Sequence, residues 1–164
     1  MERLDERQLD GGRRGPAVTT VEFSVEVEAP PARVWVVASD PYNLPHWDRH
    51  IVEVRAPKDG LSQGARYEVI MGFMAARTTV KAEVLEWEPP FRSKIRLEGL
   101  LEATVTTSVA PLPRSRSVLR HEISYRFRGP FGGLGAASLN AVGGAHMALR
   151  RGVLAQKKEV ESRL

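Results

Sequence analysis

Polar and apolar residues alternate along most of this chain with the two-residue period of a strand that buries one face. Over residues 20–29, Val21, Phe23, Val25 and Val27 point one way and Glu22, Ser24, Glu26 and Glu28 the other. The pattern returns over 51–56, over 66–71 with Tyr67, Val69 and Met71 on one side, and over 77–87 with Val80, Ala82 and Val84. It returns again over 92–98, over 101–109 with Ala103, Val105, Thr107 and Val109 inward, and over 119–127 with Leu119, His121, Ile123, Tyr125 and Phe127 inward. Proline and glycine punctuate these runs at Ala29-Pro30-Pro31, Gly60, Gly64, Pro89-Pro90 and Glu98-Gly99, because proline cannot donate to a ladder and glycine takes the turn conformations. About seven strands joined by mostly short turns predict a mainly antiparallel sheet.

Two interruptions follow the helical period instead. Residues 32–39 predict a short helix that buries Val34 and Val37 or Ala38, with Trp35 beside them and Pro31 in the first turn. Asp40-Pro41 starts a second short turn or helix, which Pro45 limits before Trp47. At the end of the chain, residues 134–161 predict one long helix, with Leu139, Val142, His146, Leu149, Val153 and Val160 on one stripe. At about 1.5 Å per residue it reaches roughly 42 Å, against about 37 Å for an eleven-residue strand. It is long enough to lie along the whole sheet. Its first half is thin, because Gly132, Gly133, Gly135, Ala136, Ala137, Ala141, Gly143, Gly144 and Ala145 carry almost no side-chain volume. A curved sheet facing so thin a helix leaves an apolar space, and such a space takes a ligand. The pair Gly143-Gly144 costs around 1 kcal/mol per residue relative to alanine, so it serves either close packing or a flexible point.

Composition narrows the class. A chain of 164 residues, 42% apolar and 27% charged, is the size and make-up of one globular domain. Residues 1–16 hold equal numbers of acidic and basic side chains and end in Gly and Pro, which predicts a mobile tail ahead of a single domain over 17–164. That tail has no apolar segment of the signal-peptide kind. The absence of cysteine removes disulfides, thiolate metal sites and a cysteine nucleophile, and fits a reducing, cytoplasmic setting. Residues 129–149 are uncharged and long enough for a membrane span, but glycine, Pro130, Asn140 and His146 argue against one. The net charge of +4 comes from scattered basic residues that alternate with acids and hydroxyls, so no nucleic-acid surface is expected.

Particular residues sharpen the reading. The alternating first strand ending in Ala29-Pro30, then Val34-Trp35, Asp40-Pro41, Trp47, Gly60 with Gly64 before a strand, Trp87-Glu88-Pro89-Pro90 and the terminal helix together resemble the START/Bet v 1-like (SRPBCC) superfamily. Within it, the closest likeness is to the bacterial polyketide cyclase/dehydrase and lipid-transport family, over roughly residues 21–160. The resemblance implies an α+β helix-grip fold with a deep apolar cavity between curved sheet and helix. Members of the family bind lipids, steroids, quinones or polyketides, and some cyclise or dehydrate the bound chain. The family has no universal catalytic motif, so no catalytic residue carries over.

Candidate ligand contacts follow from the inward faces. His121 and Tyr125 share one face of the last strand, and His146 lies in the helical stripe expected to cover it. Two imidazoles and a phenol in one space could orient a carbonyl or pass a proton; alternatively each is a core group satisfied by a neighbour. Tyr67, Met71 and Thr107 also face inward, as cavity wall or as plain core. Trp35 and Trp47 are expected to anchor the short helices or to border the entrance. His46, Asp48 and His50 have a metal-like spacing, but Pro45 ahead of them and the strand at Ile51 predict a surface loop, not a helix. Neither a metal nor a cofactor is expected. The primary expectation is binding of a small hydrophobic molecule. An aromatase/cyclase-type enzyme using His/Tyr acid–base chemistry, or a protein-interaction role, are the alternatives. Met147 and Leu154, opposite the stripe, mark either a partner surface or a contact with the short helices, and a homodimer stays open.

Overall fold

The computed structural model describes residues 18–73, 76–99, 101–128 and 144–164. The chain runs β1 (Thr19–Val27), α1 (Pro31–Ala38), a 3-10 turn (Pro41–Asn43), α2 (Leu44–Trp47), then β2 (Ile51–Arg55), β3 (Arg66–Phe73) and β4 (Ala76–Glu88). It continues through β5 (Arg92–Glu98), β6 (Leu101–Leu112) and β7 (Arg116–Phe127) to the terminal helix α3 (Gly144–Ser162). The strands form one seven-stranded sheet in the order β1-β7-β6-β5-β4-β3-β2. Every neighbouring pair is antiparallel. β1 and β2 are the two edges, so α1 and α2 carry the chain from one edge of the sheet to the other. The strands predicted from alternation are all present. Along β1, β6 and β7 the residues expected to point inward follow the observed burial pattern.

Local chemistry explains the elements. Pro31 opens α1, where a missing N–H costs no hydrogen bond. Asp40 caps the 3-10 turn by accepting from the Tyr42 amide at 2.9 Å, and buried Asn43 donates its side-chain amide to the Val37 carbonyl at 3.0 Å, satisfying a carbonyl at the end of α1. Pro45 does not stop a helix before Trp47, as its position predicts; it lies in the first turn of α2, and His46 is therefore helical. Between β2 and β3, Gly60 and Gly64 both adopt positive φ (91° and 82°), a conformation that suits glycine. Register shifts at Ile51/Glu53 and Val84/Glu86 bend β2 and β4.

Two apolar clusters lie on the inner face of the sheet. The first joins Val27, Val34, Trp35, Val37, Leu119, Leu149, Val153 and Val160, binding β1 and β7 to α1 and α3. The second gathers Tyr67, Val69, Ala82 and Val84 on β3 and β4. α3 buries Leu149, Val153, Gln156 and Val160. Its principal contacts are with β1, β7, α1 and α2. Among the described residues the stripe is buried from Leu149 onward, and His146, one turn earlier, is exposed. Leu139 and Val142, the glycine-rich first half of the expected helix and the residues 1–16 tail lie outside the described residues. Met147 and Leu154 are both exposed.

The outer face is a lattice of ion pairs: Arg116 with Glu26 at 2.8 Å, Arg55 with Glu53 at 2.7 Å, Arg92 with Glu86 at 3.0 Å, and Arg120 with Glu22. Such exposed pairs contribute little stability each. They do account for many of the basic residues on the strands. No helix among the described residues is long and apolar enough to cross a membrane.

Candidate functional site

Strand register turns the inward residues into rows that cross the sheet. One row runs Thr19, Tyr125, Ala103, Leu97, Ala82, Tyr67 through β1, β7, β6, β5, β4 and β3. The next holds Val21, Ile123, Val105, Ile95 and Val84. A third holds Phe23, His121, Thr107, Ser93 and Trp87. The middle row is apolar throughout, and polar groups sit in the rows beside it.

His121 is the centre of the third row. Its Nδ1 lies 2.9 Å from Thr107 Oγ1 and its Nε2 2.7 Å from Gln156 Oε1, with all three residues buried. Neutral imidazole with its proton on Nε2 satisfies both contacts: Nε2–H donates to the Gln156 carbonyl oxygen and Nδ1 accepts from the Thr107 hydroxyl. Burial holds its pKa below the ordinary 6.5, and the Gln156 hydrogen bond only partly opposes this. The set joins β6, β7 and α3 through three side chains. Gln156 is absent from a reading of apolar residues alone. Its signal was its position, three residues after Val153 and four before Val160, on the buried stripe of α3.

The other candidates divide by position. Tyr125 is buried, its pKa raised by burial and lowered in part by a hydrogen bond with Thr19. Its ring meets Phe127 edge-on at 5.9 Å. Tyr67 lies at the far end of the same row, four strands and about 19 Å away along the sheet. It is 7% exposed, and burial pushes its phenol up to about 12. Met71 is half-buried, level with Thr78 on β4 and Ile51 on β2. His146 packs edge-on against Phe23 at 6.2 Å, and Phe23 stands opposite His121 in the register. Thr107, His121, Tyr125 and Tyr67 thus share the inner face, Met71 lies toward the β2 edge, and His146 lies at the β1 rim.

The aromatic residues near the short helices are anchors. Buried Trp35 meets Trp87 at 5.1 Å with the rings inclined at 64°. Trp47 donates its indole N–H to Glu159 at 2.7 Å, and His46 Nδ1 lies 3.2 Å from the same carboxylate. Burial works to raise the Glu159 pKa, but the bonds from Trp47 and His46 and the charge of Arg163 together hold it below the usual range. Glu159 therefore ties α2 to the last turns of α3. Neither Gln156 nor Glu159 stands out by residue type. His50 turns to Asp48 at 2.9 Å, so His46 and His50 engage separate carboxylates.

Partial burial is what sets the middle of this face apart. Ile95, Leu97, Val105, Ile123 and Val80 lie in the interior of the sheet on its inner side, yet each is only half-buried. Nearby Leu119 and Val27 are fully buried. On the convex side, a polar groove of about 460 Å³ runs over β5 to β7. Arg92, Lys94 and Arg120 there already pair with glutamates.

A family model described as polyketide cyclase/dehydrase and lipid transport matches residues 18–161. Among solved structures, the Zhui aromatase/cyclase of Streptomyces sp. R1128 is similar, with a TM-score of 0.72 at 17% identity over 90% of this chain and 96% of that one. The Thermus thermophilus protein TTHA0849 gives 0.69 at 17% identity over 88% and 99%. A START superfamily protein of Mycobacterium smegmatis gives 0.65 at 18% over 88% and 99%. At these identities the structures establish a shared fold. No curated protein sequence matches the chain.

Proposed function

The chain belongs to the polyketide cyclase/dehydrase and lipid-transport family, and from that premise we propose that it binds a small hydrophobic molecule against the inner face of its sheet. The observation that carries this reading is the half-buried state of Ile95, Leu97, Val105 and Ile123, apolar side chains in the middle of a seven-stranded sheet. Covering them removes apolar surface from water at roughly 25 cal/mol per Å², which supplies the affinity. Tyr67, Thr107, His121 and Tyr125 flank the apolar row and set the orientation of the guest, with Met71 toward the β2 edge and His146 at the rim. Binding is favoured over turnover because His121 is held on both nitrogens by Thr107 and Gln156. An acid–base role in an aromatase/cyclase-type reaction would first have to break one of those bonds.

Native mass spectrometry of the freshly purified protein tests this. A co-purified small molecule is expected on the wild type. It should be lost in Val105→Trp, where the indole occupies the middle row, while the denaturation midpoint stays close to wild type. An unliganded wild type that also takes up no neutral apolar probe would overturn the reading.

A further inference from the structure

The outer face of the sheet carries charge in two different arrangements. Over β2 to β5, cations and carboxylates meet across the strands: Arg55, Glu68, Lys81 and Glu98 form one row of alternating sign, and Arg66, Glu83 and Arg96 form the next. That surface is matched within itself. Over β5 to β7 the alternation fails, because the outward positions of β6 are the short hydroxyl residues Thr104, Thr106 and Ser108. Register sets Arg92 against Ser108 and Lys94 against Thr106 on one side, and Ser108 against Arg120 on the other. One row therefore reads Arg92, Ser108, Arg120, a hydroxyl between two guanidinium groups.

Contrast in side-chain length makes the groove of about 460 Å³ on this surface: long side chains of β5 and β7 stand on either side of a floor of hydroxyls. Three cations, Arg92, Lys94 and Arg120, and one carboxylate, Glu122, line it, and no apolar side chain does. The nearby glutamates use only part of the donors. Arg92 gives its Nε to Glu86 at 3.0 Å, and its terminal nitrogens make no hydrogen bond among the described residues. Arg120 meets Glu22 and Glu122 through one terminal nitrogen, which leaves Nε and the other terminal nitrogen unused. Lys94 Nζ stands 3.7 Å from Glu86, a charge contact beyond hydrogen-bond length. Neighbouring strands lie about 4.8 Å apart, so the two arginine stems are separated by about 10 Å. From there both guanidinium groups can converge on one tetrahedral oxyanion above Ser108, and their planar forks match phosphate oxygens.

We propose that this outer groove binds the phosphate group of a small water-soluble phosphomonoester. Arg92 and Arg120 donate to its oxygens, Ser108 donates from beneath, and Lys94 adds charge. The groove is far larger than a phosphate ion, so the rest of the ester lies over the hydroxyl floor toward Thr104 and Ser124. A floor without apolar side chains gives acyl chains nothing to bury against, which favours a soluble ester over a lipid headgroup.

Calorimetric titration at low salt tests this, with glycerol 3-phosphate as the probe and glycerol as its uncharged counterpart. Glycerol 3-phosphate is expected to bind and glycerol is not. Arg120→Gln should weaken the probe about tenfold, the worth of one charge-assisted hydrogen bond. Ser108→Asp sets a carboxylate in the place of the anion, between the two arginines, and should abolish binding. Exposed ion pairs contribute little stability, so the denaturation midpoints of both variants should stay close to wild type. Arg66→Gln removes a cation from the matched surface and should leave the affinity unchanged. Failure of glycerol 3-phosphate to bind, equal binding of glycerol, or equal losses in Arg66→Gln and Arg120→Gln would each overturn the proposal, the last by showing only diffuse attraction to a basic chain. Binding to phosphatidate vesicles without uptake of the soluble ester would overturn it as well.

Discussion

The inner face of one sheet behaves differently at its two ends. Beneath α1 and the later turns of α3, Val27 of β1 and Leu119 of β7 are fully buried, as are Val34, Val153 and Val160 on the helices that cover them. Across β4 to β6, residues of the same kind, Val80, Ile95, Leu97 and Val105, remain half-buried. The side chains are alike and so is their alternation. What differs, among the described residues, is the surface opposite them: α3 meets the sheet at β1 and β7. Closed packing makes a core, and the half-buried stretch of the same face is where the proposed guest would lie.

The largest test of this contrast is a pair of truncations. Leu119→Ala opens a cavity inside the closed end and should cost about 3 kcal/mol, within the roughly 2–5 kcal/mol range of buried leucines. Leu97→Ala removes the same atoms from the open end and should cost less than about 1.5 kcal/mol, because part of that surface already meets water. Urea denaturation of both variants measures the difference, and equal losses would erase the distinction between core and trough. Next in size is the polar tie between the two ends. Gln156→Leu leaves the His121 Nε2–H without an acceptor and should destabilise the fold by about 2 kcal/mol, in the range for an orphaned buried donor; a change near zero would mean that water or a neighbour replaces the amide.

The smallest effect is a pH dependence. The native protein holds His121 neutral with a pKa below 6.5, whereas the unfolded chain takes up that proton near 6.5. Stability from this group is therefore complete above about pH 6.5 and declines as pH falls toward the depressed native value, by at most about 1.4 kcal/mol per unit. Denaturation midpoints compared between about pH 7.5 and 5.5 should show the decline before the carboxylates, whose ordinary value is 4.5, begin to contribute. A flat profile across that interval would contradict a buried neutral His121.

The inward face of the candidate site was legible in the sequence because side-chain direction along a strand depends only on position. Tyr67, Thr107, His121 and Tyr125 fall on the inner face by counting in twos, and they lie there. His146 was placed in a buried stripe by the same logic applied to a helix, yet it is exposed, because a stripe is covered only where the helix meets the sheet. Gln156 shows the reverse case. Its polar side chain hides it from a hydrophobic count, although its spacing puts it in the buried stripe beside His121. His46 became helical because Pro45 falls in a first turn, where proline is tolerated, and not in a helix interior.

By itself, then, the order of residues determined which elements form and which side of each strand faces inward, since period and turn chemistry are local properties of the chain. Only the tertiary structure decided which inward residues share a row, which of them α3 covers, and that, among the described residues, the His121 ring has two partners while the Tyr67 hydroxyl has none. Those outcomes depend on strand register and on the placement of one helix, both settled by contacts between residues far apart in sequence.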